Sequence, residues 1–593
     1  IAIIDTGVDY THADLGGPGT KAAYATALAN DTVAPVGVDA NKIVGGWDFA
    51  GDTYDASDPK HATPAPDPNY LDCDGHGTHV AGIAAGYGED PAGNTYTGGY
   101  GSLPTDFPSY KALFRIGPGM APGAKIYAYK IFGCAGETSS DLITAAIDRA
   151  ADPNGDGSTA DHVNVINMSL GSDFSSPEDA DSIAANAAAQ LGISVVAAAG
   201  NGGDLYDAAG SPGNATRVIA VANSVDADSI TDSVHVSAPA SIVNDYSAER
   251  SDAYAWATKP DLSGPVVALS QSTNKDGCDP LDAADAAAVK GKIAFLEWTD
   301  NDANRRCGSA ARSLNVANAG AAGAILGDDE DTFAAGITGS DTIPVVIVSK
   351  TGADAIRSAL GSGVTISGTT ANNFEQNIPA ADDTVSSSSS RGIGDAGDLK
   401  PDVTGIGTTV FSAAMGTGNG GISYTGTSMA SPEVAGLAAL VHSHNTGWTA
   451  EQVKADIMNT AEQDLYTGPS HSGIPYGPER VGAGQIDAKS ALDNQVLAYV
   501  ASDPGAVSAS FGPVAVSAPT TLSKTIDVVN TSGSSMTYSV AYDPLTSVPG
   551  ATYSVSPSSV TVAAGATATV TLSLTVDPSL LTKPIDPTLA RTQ

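Results

Sequence analysis

The chain is short of positive charge, cysteine, aromatic residues and long apolar runs. Lys and Arg number 27 against 66 Asp and Glu, a formal charge of −39 over 593 residues. Such an excess of carboxylates repels a phosphate backbone, which argues against nucleic acid as a partner. Four Cys in this length exclude a disulfide-dense miniprotein and a Cys-rich metal cluster. Aromatic residues make up only 6 %. No apolar run reaches the roughly 18 residues that a transmembrane helix needs. The chain opens on Ile-Ala-Ile-Ile-Asp-Thr-Gly, with no basic leader before it. A first residue already inside a strand-like run reads as a trimmed chain, with any targeting signal upstream. What is present is ample: 42 % hydrophobic residues, 66 Gly and 34 Pro describe a loop-rich globular protein of small residues. The length is that of about four domains.

Strand-like and helix-like stretches alternate at first. Short apolar runs at 1–4, 125–132, 163–170, 193–199 and 217–222 read as strands. Between them, 139–150 places Leu142, Ile143, Ala146, Ile147 and Ala150 on one helical face, and 179–191 is Ala-rich and helical. Continuous apolar strands separated by helices imply a parallel sheet covered on both faces. Such sheets carry their chemistry at the carboxyl ends of the strands. The texture changes near residue 235. The segment 239–385 has short strands, Ala-rich helices at 283–289 and 309–319, and two Cys. The Ser run 386–390 reads as a linker. Helical pattern returns at 427–442 and 449–460. From about residue 501 the chain alternates and is rich in Thr, Ser and Val, the signature of an antiparallel sandwich.

Three motifs carry chemistry. Asp5-Thr6-Gly7 ends an apolar strand, Asp74-Gly75-His76-Gly77-Thr78-His79 turns into a small-residue helix, and Gly426-Thr427-Ser428-Met429-Ala430-Ser431-Pro432 opens another helix. Each alone is ordinary: a turn, a capped helix start, an N-cap Ser. Together they supply a carboxylate, an imidazole and a hydroxyl. Ser is a poor nucleophile at neutral pH, so it needs a base, and the base needs an orienting carboxylate. A Ser at a helix start also meets free N–H groups and the positive dipole end, which suit a developing oxyanion.

Asp-Thr-Gly, Gly-His-Gly-Thr-His-Val-Ala-Gly and Gly-Thr-Ser-Met-Ala-Ser-Pro resemble the signatures of the subtilisin-like serine proteases, over about 1–225 and 386–494. The resemblance implies an α/β fold: a three-layer, parallel-sheet catalytic domain in two parts, 1–238 and 386–500. The insert 239–385 resembles a protease-associated domain, and 501–593 resembles a fibronectin-III-like β-sandwich. By position, Asp5 is the orienting acid, His76 the general base, Ser428 the nucleophile and Asn201 the oxyanion donor. Ser169, Leu170 and Gly171 match the strand that pairs with substrate, and His79 is structural. The loop after Asn201 forms the primary specificity pocket, with Ala198 and Gly200 on its walls and Gly210 at an open base. The pocket is expected to prefer large apolar side chains, with Asp204 and Asp207 as candidates for an acidic rim. The implied function is a secreted serine endopeptidase acting on proteins and peptides, with signal and propeptide upstream. No cofactor is required for the chemistry. The chain departs from the family pattern at Glu433, where His is usual, and at Thr404-Gly405-Ile406-Gly407, where Ala-Pro-Gly is usual.

Two competing functions remain at this point. One is an adhesive or scaffold protein with an inactive protease domain. The other is a metallohydrolase built on His76 and His79, which lacks a third ligand. Cys278 and Cys307 are expected to form a disulfide, and Cys73 with Cys134 either a second bond or two free thiols. Asp152, Asn154, Asp156 and Ser158 carry oxygens at alternate positions with Gly157 sixth, the start of a calcium loop. Val163 in the twelfth place excludes a full EF-hand, and a metal-free Asp/Asn/Gly turn is the competing reading. Asp14 is a second candidate for calcium by resemblance.

Overall fold

The computed structural model describes residues 1–581 apart from 252, 257, 301–304, 334–335, 393–397, 463–464 and 546. Strands β1 (Ala2–Asp5), β2 (Ile43–Asp48), β3 (Ile126–Lys130), β4 (Val165–Met168), β5 (Ser194–Ala198) and β6 (Ile219–Val225) form a parallel sheet in the order β2-β3-β1-β4-β5-β6. Successive residues of β1 feed opposite faces, as the pleat requires. Ile3 packs with Val80, Val434 and Leu437. Ile4 packs with Ile143, Ile147 and Ala185. Helices His76–Ala85 and Thr427–His444 therefore cover one face, and Ser140–Ala151 and Ala180–Gln190 the other. This is a three-layer α/β fold. Both Ile side chains are fully buried, and cutting either to Ala costs about 2–5 kcal/mol.

Strand order reverses at β1, and a crevice opens there at the carboxyl ends of the strands. Asp5 ends β1, Ser169 follows β4, and Ala199–Asn201 follow β5. After the insert, Val403–Ile406 returns to the sheet parallel to β6. Buried Asp402 pins that return: it accepts from Ala220 N and pairs with Lys400 and Lys454 at 2.7 and 2.9 Å.

The insert is a closed barrel. Its strands are β7 (Asp228–Ala238), β8 (Asn244–Arg250), β9 (Gly264–Ala268), β10 (Ile293–Glu297), β11 (Gly323–Gly327), β12 (Val345–Val348) and β13 (Thr365–Asn377). They close in the order β10-β11-β12-β8-β7-β13-β9. Val234, Val236, Phe295, Ile325 and Ile366 fill one core. Leu296, Leu326 and Ile347 pack outward with Val289 and Val316 of two helices. β7 starts just after β6 ends, so the barrel begins before residue 239. The barrel is seated on the hairpin that leads to Ser428. Asn372 Nδ2 donates to the Gly421 carbonyl at 2.7 Å, and Ser423 Oγ donates to the Ile230 carbonyl. Both disulfides are formed, Cys73–Cys134 and Cys278–Cys307.

The Ser run is not a solvated linker. Ser389 and Ser390 are fully buried, Ser389 Oγ accepts from Asn223 N, and Ser390 Oγ accepts from Gly202 N. The terminal region pairs Val496–Val500, Thr520–Asn530, Thr567–Val576 and Ala551–Ser556 into one antiparallel sheet, with a second pair at Met536–Ser539 and Ser559–Val562. Its core is a small Val cluster.

Candidate active site

Asp5, His76, Asn201 and Ser428 meet at the crevice. Asp5 is buried at the end of β1, and its Oδ1 accepts from Thr6 N at 2.8 Å. The same oxygen lies 2.7 Å from His76 Nδ1. Asp5 Oδ2 is buried without a hydrogen bond. Burial alone lowers the His76 pKa, but the charge and hydrogen bond of Asp5, with Asp74 and Asp72 behind it, outweigh that and raise it to about 9. The ring stays open to the crevice, 29 % exposed.

His76 starts its helix because the loop before it is locked. Buried Asp72 accepts from Thr6 Oγ1, Asp74 N, Gly75 N, Thr78 N and Thr78 Oγ1 at 2.6–3.0 Å. Burial pushes its carboxyl up to about 6, against those bonds. Gly77 is needed because a Cβ there would stand 2.2 Å from the Gly7 carbonyl oxygen. Asp72 was not singled out from sequence, nor was its bond to Thr6 of the first motif. The Asx-turn spacing Asp72-x-Asp74-Gly75 is the signal that marks Asp72.

Ser428 lies in the first turn of a buried helix. Its Oγ donates to the Ser169 carbonyl at 3.1 Å, and Ser169 Oγ donates to the Ser428 carbonyl at 2.7 Å. Ser431 Oγ bonds Asn167 Oδ1, and Asn167 Nδ2 bonds Ser169 Oγ, so β4 and the helix start are stitched together. Asn201 Oδ1 accepts from Thr427 N and Thr427 Oγ1 at 3.0 and 3.1 Å. This network consumes the amide oxygen and turns the Nδ2 donor outward.

His79 Nε2 faces the carbonyls of Val410 and Ile422, both at 3.0 Å, and so carries the proton. Burial lowers its pKa to about 3. A nitrogen spent on two carbonyls cannot join His76 on a metal, which removes the metallohydrolase arrangement through that atom.

The expected specificity pocket needs correction at its base. A Cβ on Gly210 would stand 1.6 Å from the Ser172 carbonyl oxygen. Gly210 is small because two chain segments touch, not because space opens there. Ser169 and Ala198 are buried, Leu170 and Gly200 half-buried and Gly171 exposed. Asp204 is not a free rim carboxylate: its Oδ1 accepts from the buried Arg391 Nε at 2.5 Å. Asp173 was missed. Its carboxylate lies within 2.9 Å of where a Cβ on Gly200 or Gly202 would stand, and burial pushes it up.

The two departures from the family pattern touch each other. Glu433 Oε2 accepts from the Ile406 N–H at 2.8 Å. Aligning the Gly of Ala-Pro-Gly with Gly407 puts Ile406 where the usual Pro has no N–H to offer. Burial raises Glu433 to about 7, with this bond pulling it down.

A profile described as the subtilase family matches residues 1–484. The minor extracellular protease Vpr of Bacillus subtilis is 28 % identical over 509 residues, covering 83 % of this chain and 51 % of its own. The subtilisin-like protease SBT1.4 of Arabidopsis thaliana is 29 % identical over 468 residues, covering 72 % and 54 %. The chain spans about half the length of these curated relatives. The solved psychrophilic subtilisin-like protease Apa1, from the Antarctic psychrotroph Pseudoalteromonas sp. AS-11, has a TM-score of 0.40 at 19 % identity, over 83 % of this chain and 92 % of that one. With the family profile covering residues 1–484 of 593, the chain belongs to the subtilase family.

Proposed function

We propose that the chain is a serine endopeptidase that cuts proteins and peptides through an acyl-enzyme. The observation that carries this is the 2.7 Å Asp5–His76 contact beside Ser428 and the outward-facing Asn201 amide. Substrate draws Ser428 Oγ from the Ser169 carbonyl toward His76 Nε2. His76 takes the proton as Oγ attacks the scissile carbonyl, then returns it to the leaving amine. Asp5 fixes the ring and stabilises the imidazolium, in line with its raised pKa. Asn201 Nδ2 and the Ser428 N–H, unpaired at the helix start, hold the oxyanion. Ser169, Leu170 and Gly171 pair with the acyl side of the substrate, and Ala198 and Gly200 flank its first side chain. Labelling with a fluorophosphonate tests the reading: a mass increment on Ser428 is expected, lost in Ser428→Ala. An unlabelled, folded wild type would overturn it and leave the scaffold alternative.

The barrel is read as a protease-associated-like module and the terminal sheets as a fibronectin-III-like one. No helix among the described residues is long and apolar enough to cross a membrane. Relatives named as extracellular or secreted proteases support action outside the cell.

One loop gathers ligands for a hard cation, and a second place holds two buried carboxylates, with His12 Nδ1 3.5 Å from Glu89 Oε1. Carboxylate oxygens of Asp152, Asp156 and Asp161 lie within 4.8 Å of one another in an exposed loop, with Asn154 and Ser158 beside them. Asp161 was not foreseen. The loop is prefolded, since Asp152 accepts from the N–H groups of Gly155, Asp156 and Gly157. Elsewhere Asp14 Oδ2 and both Glu89 oxygens are buried without a hydrogen bond. Burial raises Asp14 to about 7 and Glu89 to about 9, so a proton there competes with a metal ion. Calcium in either place is structural: these residues would brace loops and take no part in the chemistry. A thermal midpoint unmoved between excess calcium and chelator would rule out both.

A further inference from the structure

The catalytic crevice continues into a cavity of about 690 Å³ whose far wall belongs to the inserted barrel. His76, Asn201, Ser428, Tyr424 and Thr425 line the near side. Asp232, Arg250, Trp256 and Asn372 line the far side. Ser169, Leu170 and Gly171 are not on it, so the cavity lies across the nucleophile from the strand assigned to the acyl side.

Arg250 is the only Lys or Arg on this lining among the described residues, while Asp74, Asp232 and Glu249 are acidic. It ends β8, and its backbone N–H donates to Asp232 Oδ2 at 3.0 Å. Its guanidinium carbon stands 5.0 Å from the centre of the Trp256 ring. Trp256 is itself fixed, with Nε1 donating to the Ser251 carbonyl at 2.9 Å and Tyr254 edge-on at 5.0 Å. The aromatic face attracts the guanidinium without using any N–H donor. Arg250 Nε is buried and makes no hydrogen bond. The nearest carboxylate oxygen of Asp232 is 3.8 Å from it, beyond hydrogen-bond reach. Asp232 is moreover occupied, accepting from Asn372 N and Arg250 N, and burial pushes its carboxyl up, with Arg250 pulling it down. The side chain is 21 % exposed. A guanidinium set against an aromatic ring, partly buried and with an Nε that makes no hydrogen bond suits a carboxylate.

We propose that Arg250 binds an acidic side chain of the substrate on the leaving-group side of the cut, and so makes the inserted barrel part of the specificity machinery. The proposal rests on the endopeptidase reading. The barrel is held firmly enough for the task. Asn372 bonds both Asp232 and the Gly421 carbonyl, and Gly421–Tyr424 is the strand that enters the Ser428 turn. Arg250 is thus referenced to the nucleophile through three hydrogen bonds rather than through a flexible linker. Without Arg250, the charged groups left on the lining are carboxylates and His76, which disfavours an acidic residue. Removal should therefore invert the preference and not merely flatten it.

The test is kcat/KM on matched peptides carrying Asp, Glu, Ala or Lys at each of the first three positions after the cut. Rates are normalised to a p-nitroanilide that has no residue on that side. Wild type is expected to favour Asp or Glu over Lys by about tenfold at one position, roughly 1.4 kcal/mol. The margin should shrink at high ionic strength, as exposed ion pairs do. Arg250→Gln should reverse it in favour of Lys, Arg250→Lys should keep part of it, and Arg250→Glu should favour Lys most. Should a variant fail to fold, the wild-type ratio and its salt dependence still decide. Equal rates for Asp and Lys peptides in wild type, a ratio unchanged in Arg250→Gln, or a preference confined to positions before the cut would each overturn the proposal. Fluorophosphonate labelling of wild type separates this from failure of the endopeptidase reading: labelled enzyme without acidic preference sinks only the subsite.

Discussion

The sheet and the barrel meet at one cleft but leave their polar groups in opposite states. On the sheet side Asp72 takes five donors, Asn201 Oδ1 takes two, and the Ser428 helix is bonded to β4 at several points. On the barrel side Arg250 Nε has no hydrogen bond at all. The groups that hold the catalytic side chains in place are saturated by the protein, so the site stands still while charge moves. A group that recognises a partner keeps spare capacity, because a donor already satisfied gains nothing from a ligand.

The contrast can be broken from the saturated side with large effects. Ser428→Ala should lower kcat for a peptide by about 10⁶, and removing His76 as well should add little, a scale taken over from subtilisin itself. Asn201→Ala should cost about 10²–10³ in kcat with the triad intact, on the same footing. Asp72→Ala strands five donors at once, four of them in buried bonds, and should lower unfolding free energy by about 3 kcal/mol in a denaturant titration. Unchanged stability would show that the His76 loop is held by something else. Smaller effects sharpen the picture. The raised His76 pKa places the acid limb of kcat/KM above the ordinary histidine range, because only the neutral ring accepts the Ser428 proton. Asp74→Asn removes one of the charges that raise it and should move that limb to lower pH. Last comes stability against pH. Asp14 and Glu89 bind protons more tightly folded than unfolded, so their contribution is present at low pH. It is lost as pH rises from the ordinary carboxylate range through about 7 and about 9. The thermal midpoint in chelator should fall over that window, and less so in Glu89→Gln.

The candidate triad and the strands that carry it were legible because residue type, spacing and apolar runs agree there. β4, β5 and the Ser428 helix sit within a few residues of their expected places. Composition failed where one residue type serves two ends. A Ser run is equally a soluble linker and a row of hydroxyls for buried backbone groups, and 386–390 is the latter. Gly210 announced small size without saying whether space or a neighbouring chain required it. β7 follows β6 almost without a break, which hid the start of the barrel, and β13 is too polar and half-exposed to show a strand period. Arg250 and Trp256 carry no motif. Only closure of the barrel brings them to the cleft.

The Glu433–Ile406 bond also constrains how this chain can be rebuilt from its relatives. Restoring Pro at 406 alone removes the donor and leaves the half-buried Glu433 carboxylate without that hydrogen bond. Restoring His at 433 alone leaves the Ile406 N–H without its acceptor. Each single step costs about 1–3 kcal/mol, while the two together cost less than their sum. Sequence recombination that cuts between these positions therefore passes through a poorer fold than either parent, and a crossover that keeps them together does not.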